Sequence, residues 1–225
     1  MFFLKWQLVA VAIVMCLAAN TLGDIITLPN VPAGTQYRLA FVTHDARNAV
    51  STNIEDYNAF VTAQANQSIG LSALSTTWLV IGSTTAISAS DNTLTNPLIE
   101  TGFPIYTLQG SRIANNNATL WDGNLTGLLS RDQFGNVRFS PVFTGTSSQG
   151  IIGPFALGQS TVTAGQNSQL DFGWVSGFSG LNTQLLPMYA ISGVLTAVPE
   201  PSSLATIAAI AIVCSFSNRN RQIRR

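Results

Sequence analysis

The chain has one histidine, His44, and it stands directly beside Asp45. An imidazole oriented by a carboxylate is the beginning of a general base. Neighbours on a strand point to opposite faces, however, so the pair reads as a loop histidine that follows a strand. A Ser-His-Asp arrangement would have to use His44, and no G-x-S-x-G turn raises a serine for it. "GTSSQG" at 145–150 reads as a glycine-flanked loop. Paired carboxylates would support glycoside hydrolysis. Glu55 and Asp56, though, suit the positive end of a helix. Asp91, Glu100, Asp122, Asp132 and Asp171 stand in turn-forming contexts, where a short acidic side chain bonds its own backbone. Oxygen ligands offer a third chemistry. Asp91, Asn92 and Asp122 could hold a hard cation such as calcium, although no EF-hand spacing is present. Trp121, beside Asp122 and between Asn117 and Asn124, is the tryptophan to expect partly exposed as a sugar platform, burial being the commoner state of an indole. Trp78 and Trp174 read as core. No catalytic constellation emerges.

The elements that must position these residues are short. Gln36 to Thr43 reads as a strand rich in β-formers. Thr52 stands three residues before Glu55, a capping-box pattern, and opens a helix with Ile54, Tyr57, Val61 and Ala65 on one face. Gly70 offers its stop. "TWLVIGSTTA" supplies a strand from Trp78 to about Ser83, and residues 85–103 form a polar loop. "FPIYTLQGSRIA" reads as a strand or hairpin broken at Gly110, "NNNATLWDGNLTGLL" as loop, and "RDQFGNVRFSPVFTGT" as a turn at Gly135-Asn136 between β-like runs. Gly145, Gly150, Gly153 and Gly158 punctuate a long loop. "LDFGWVSG" and "MYAISGVLTAV" supply the last strands. One helix among many short strands and long loops predicts an α+β fold.

The charge is segregated. Between Lys5 and Arg219 the chain has five arginines against ten acidic residues, a net charge of about −5. That argues against nucleic acid, which needs clustered cations. Both cysteines, Cys16 and Cys214, lie in the end segments, so the body has no disulfide and no thiol chemistry. The sites Asn66, Asn117 and Asn124 match the N-glycosylation acceptor pattern.

The ends carry addresses. Residues 1–23 place Lys5 before an apolar run from Leu8 to Ala19, followed by small and polar residues, which predicts a secretory signal cleaved after Gly23. Cys16 is preceded by Met15, where a lipoprotein signal needs a small residue. At the other end, "VPEPSS" precedes a run from Leu204 to Phe216, short for a stable span, and then Arg219, Arg221, Arg224 and Arg225. Arginines favour the cytoplasmic side, so the body would face outward. The two prolines keep the segment extended and out of the following helix.

Residues 199–225 resemble the sorting tail of bacterial PEP-CTERM exported proteins. That resemblance implies a signal peptidase and a membrane-embedded exosortase-type enzyme as partners. The second would recognise Pro199, Glu200 and Pro201 and process the tail after transient anchoring of its helix. The body, residues 24–198, resembles the endostatin branch of C-type-lectin-like domains through "IEDYNAFVTAQA", "TWLVIGST", "PIYTLQGSRIA", "LWDG", "VFTGTSSQG" and Trp174. It lacks the Glu-Pro-Asn or Gln-Pro-Asp loop of calcium-dependent sugar binding and the disulfides usual in animal members. The expectation is an exported, non-catalytic protein of the bacterial surface or extracellular matrix that binds extracellular polysaccharide. The alternatives are a structural or adhesive protein that binds other proteins, and a hydrolase of extracellular polymer.

Overall fold

The computed structural model describes residues 29–198, so the expected signal segment and sorting tail lie outside the described residues. Among the described residues the architecture is α+β: one helix of 13 residues, four short helices and nine strands in two sheets.

Strand β1 (Gln36–Val42) runs through the middle of the larger sheet and is buried from Tyr37 to its end. It pairs in parallel with β3 (Ile105–Thr107), antiparallel with β8 (Tyr189–Ser192), and through its first residues with β9 (Leu195–Thr196). Strands β2 (Trp78–Val80) and β4 (Arg112–Ala114) complete the order β2-β8-β1-β3-β4. The first and last strands of the body are thus neighbours. Alternation along a strand sends successive side chains to opposite faces. Tyr37, Leu39 and Phe41 enter one apolar cluster with Ile54, Tyr57, Val61, Ala65 and Trp78. Ala40 and Val42 enter a second, with Ile81, Ile113, Trp121, Trp174 and Tyr189.

Helix α1 (Ile54–Asn66) covers the first face. Its buried positions, Ile54, Tyr57, Asn58, Val61, Gln64 and Ala65, follow the expected period. The cap differs from the expected one: Asn53, one residue later than Thr52, accepts the Glu55 amide at 3.1 Å. The stop differs too. Ser68 caps a second short helix, α2 (Ile69–Ala73), and Gly70 lies inside it. A serine able to accept the Leu71 amide makes a new helix start more favourable than a glycine stop. Tyr57 donates its hydroxyl to the Ser51 carbonyl, and burial pushes its pKa up to about 12. The Arg47 guanidinium lies 4.4 Å over the same ring.

The second sheet, β5 (Pro141–Phe143), β6 (Thr161–Gln166) and β7 (Phe178–Leu181), sends Phe143, Val162 and Ala164 into the first cluster and Val142 into the second. β6, "TVTAGQ", has too few apolar residues to read as a strand from sequence. "LDFGWVSG" is not the expected strand. Gly173–Ser176 forms a helical turn, α5, stabilised at its start by the Asp171 carboxylate, which accepts the Gly173 amide, and β7 begins only at Phe178. Two other expected loops contain single helical turns: α3 (Ala89–Asn92) and α4 (Asn117–Leu120), the latter closed by a capping box between Asn116 and Thr119. Among the described residues no helix is long and apolar enough to cross a membrane.

Helix α5 packs on the second sheet where Gly165 in β6 lies against the backbone of Trp174 and Val175, leaving no room for a Cβ. Gly165→Ala should therefore destabilise the body by about 3 kcal/mol. Thermal unfolding followed by tryptophan fluorescence should show a fall in Tm of roughly 6–12 °C.

Candidate functional site

Residues 88–101 contain Asp91 and Asn92, two of the four side chains expected at a ligand site. Ser88 begins the turn: its hydroxyl accepts the Asp91 amide at 3.1 Å and donates to Asp91 Oδ2 at 2.6 Å. Asp91 Oδ1 accepts the Asn96 side-chain amide at 2.8 Å. These two bonds, the Ser88 bond first, hold the Asp91 carboxyl below its usual pKa. Both carboxylate oxygens are committed to shaping the loop.

Asn92 points the other way, into the protein. Its Nδ2 donates to the Val80 carbonyl at 2.8 Å and to Asn58 Oδ1 at 3.1 Å, while its Oδ1 accepts from Asn58 Nδ2 at 3.0 Å. Asn58 Oδ1 in turn accepts the Val80 amide at 2.9 Å. This amide pair closes the free edge of β2. Asp91 and Asn92 therefore serve separate networks and do not converge as a ligand set. Asp122 is exposed and accepts the Asn124 amide at 2.8 Å. Among the described residues no group of three or more His, Cys, Asp or Glu side chains is arranged to hold a metal ion.

Trp121 offers no platform. It is 5 % exposed, and its ring is covered on both sides. Trp174 stacks on it with ring centroids 5.9 Å apart, and the Gly150 backbone lies against the indole at φ +75°, where an added Cβ would stand 2.5 Å from a ring carbon. The indole N–H donates to Thr95 Oγ1 at 2.9 Å. Trp121 thus supports the 88–101 loop from beneath.

Arg38 supports it from the sheet. Standing among the even-numbered residues of β1, it donates from Nη1 to the Thr93 carbonyl at 2.6 Å. Burial lowers its pKa from the usual value, and the Glu100 charge opposes that shift. Further bonds complete the brace: Thr95 N–H to the Ser90 carbonyl, Leu98 N–H to Asn96 Oδ1 at 3.0 Å, and the Asn117 side chain to the Glu100 carbonyl at 3.1 Å. The loop so held presents Leu94, Leu98 and Ile99, which are 66 %, 93 % and 77 % exposed. Leu94 adopts φ +55°, a left-handed conformation that costs a branched residue about 1–3 kcal/mol. None of these three was singled out by type, because an apolar side chain carries no signal of exposure until its neighbours are placed.

The second cluster surrounds His44. Its ring partner is not Asp45 but Asp132, 88 residues away, with Nδ1 and Oδ2 2.8 Å apart. The Asp132 side chain is fully buried and also accepts the amides of Phe134 and Asn136 at 3.0 and 2.9 Å. A carboxylate that only accepts draws the ring proton to Nδ1. Arg138 Nη1 lies 3.3 Å from the same Nδ1. Gln133 accepts the His44 amide and donates to Gln64 and Gln67 on and beside α1. Asp45 is bonded to the same two glutamines, at 2.8 and 3.3 Å, and these bonds hold its carboxyl below the usual range. Here an oriented imidazole exists, but among the described residues no serine or threonine hydroxyl bonds to it. It ties the end of β1 to α1 and to the 131–138 turn. The only sequence trace of this contact is the turn signature "DQFGN" itself.

Pro199, Glu200, Pro201, Arg219, Arg221, Arg224 and Arg225 lie outside the described residues. No protein-family model matches the chain, and no curated protein matches it.

Depressed folded-state pKa values give Asp91 and Asp45 a definite pH signature. Their contribution to stability is complete above the ordinary carboxylate value of 3.8 and is lost as the pH falls through the lower folded-state values. Melting temperatures measured from about pH 6 to about pH 2 should fall less steeply in Asp91→Asn than in the unmodified chain. Equal slopes would mean that the Ser88 and Asn96 bonds do not favour the ionised form.

Proposed function

We propose that the chain is an exported, non-catalytic protein of the bacterial surface or extracellular matrix. In this reading the PEP-CTERM-like tail delivers a C-type-lectin-like body, which acts as an adhesive module toward other proteins. The observation that carries the adhesive role is the braced 88–101 loop with Leu94, Leu98 and Ile99 exposed at its tip. Exposed apolar side chains on a preorganised loop lose little freedom on docking, and each buried one contributes about 1.5–3 kcal/mol. Binding residues favour loops held by a rigid scaffold.

The C-type-lectin-like reading is supported by the order of its sequence blocks along the fold. "IEDYNAFVTAQA" is α1, "WLV" is β2, "IYT" and "RIA" are β3 and β4, and Trp174 closes the second core. A protein ligand is favoured over a polysaccharide because the indole expected as a platform is enclosed and Asp91 and Asn92 do not converge on one ligand position. A catalytic role finds a histidine and a carboxylate at His44 and Asp132, and no bonded nucleophile.

Retention of the purified exported chain on surface material from the producing bacterium tests this. Binding should be abolished by protease treatment of that material and weakened at least about tenfold by Leu98→Asp, with no change on chelation. Binding that survives protease and is lost on chelating calcium would instead establish the polysaccharide reading. Release of soluble sugar, lost in His44→Ala, would establish the hydrolase.

A further inference from the structure

From Phe139 to Val198 the chain has one charged residue, Asp171. This stretch builds the whole second sheet, and β7 is its outer strand. Edge strands present unpaired backbone groups that invite another strand, and proteins ordinarily cover or charge them. The edges of β2, β4 and β5 are covered. The β2 edge is closed by Asn58, Asn92 and Thr62, whose side chains bond Val80 and Trp78. The β4 edge is closed by Thr126, which donates its amide to the Ile113 carbonyl and its hydroxyl to the Arg112 carbonyl. β5 meets the 187–188 segment through the Phe143 amide. β7 has no such cover: Phe178, Ser179 and Leu181 are exposed, with Phe178 at 41 % and Leu181 at 59 %.

The ladder sets which groups are free. Asn182 donates to the Ser160 carbonyl, so residues 178, 180 and 182 bond toward β6 and the alternation turns the amides and carbonyls of Ser179 and Leu181 outward. The Leu181 carbonyl also accepts the Gln184 amide, and a carbonyl can accept two bonds.

We propose that β7 is a self-association edge, which pairs antiparallel with β7 of a second copy about a two-fold axis at Gly180. Ser179 then faces the partner's Leu181, and Leu181 the partner's Ser179. Each of these two pairs exchanges two amide–carbonyl bonds. Gly180 meets its own copy at the close, non-bonded position, where Cα atoms approach to about 4.5 Å and a residue without a side chain fits best. The resulting sheet continues through both copies, β5-β6-β7 into β7-β6-β5. A second copy is the favoured occupant because identical edges close on themselves as a pair. It is favoured too because the segment that would form the seam, residues 178–185, carries no charged side chain. Phe178, Leu181 and Leu185, all exposed, flank the seam. This pairing does not depend on the role of the 88–101 loop.

The test uses the full-length chain in a mild non-ionic detergent. Sedimentation and light scattering should give a two-copy species that forms over roughly 10–100 µM, as befits a small interface. Hydrogen exchange at the Ser179 and Leu181 amides should slow as it forms. Ser179→Pro removes one outward donor at a position where an edge strand tolerates proline, and Leu181→Lys places a charge at the seam. Either variant should remain one copy per particle with an unchanged near-ultraviolet tryptophan spectrum. Ile69→Lys, an exposed substitution on α2, should pair as the unmodified chain does. The proposal is overturned by a chain that stays single over this range, by pairing that persists in both variants, or by pairing that leaves the Ser179 and Leu181 amides exchanging at their dilute rate.

Discussion

The burial of β1 on both faces is the constraint on which the rest of the structure depends. A strand with one wet face needs a single partner layer. β1 needs two, and its alternating residues divide between them, Leu39 and Phe41 toward the cluster that contains α1 and Ala40 and Val42 toward the cluster of Trp121, Trp174 and Tyr189. This is why the chain must bring its own end back: β8 and β9 supply hydrogen bonds along β1 that β3 covers on the other side. It also explains Arg38, a buried cation in the central strand. At an even position it faces the second cluster, where the Thr93 carbonyl accepts its Nη1–H and Glu100 compensates its charge.

The second layer is held differently from the first. Against α1 the packing is helix on sheet, with apolar side chains at helical spacing. On the other side there is no long element, and loops are locked by short polar side chains instead. Asn58 and Asn92 bond each other and the β2 backbone, and Thr93, Thr95 and the Trp121 indole form a chain of donors and acceptors. Asp132 gathers two amides and the His44 ring. Each is a buried polar group matched to a partner, so each fixes a loop position at little net cost in desolvation. These bonds do in this body what cross-links do in disulfide-rich domains.

The stack of Trp121, Trp174 and Tyr189 joins the two halves of this arrangement. Tyr189 belongs to the central sheet and bonds the Trp174 carbonyl through its hydroxyl, Trp174 caps the second sheet, and Trp121 carries the loops. Placing three large rings in contact excludes water from the layer boundary and adds the preference of aromatic pairs for offset geometry. A surface role for Trp121 is incompatible with this arrangement, since both faces of its ring are already in use.

The sequence by itself determined what is local. β1 is a continuous β-forming run, α1 shows its face at 3.6-residue spacing, and the breaks at Gly110 and Gly135 are visible because backbone conformation is decided within a few residues. Charge segregation and the tripartite tail are properties of composition and needed no fold. Where two local signals competed, as at Thr52 against Asn53 or Gly70 against Ser68, the sequence could not rank them, because a cap is chosen by the packing of the helix it starts. What only the tertiary structure decided are the contacts between distant segments: Asp132 on His44, Asn92 on Asn58, Gly150 over Trp121. Each pairs residues between 29 and 88 positions apart. An aspartate, an asparagine or a tryptophan has the same composition whether it meets solvent, a metal or a buried amide. Its role is set by what the folded chain places against it.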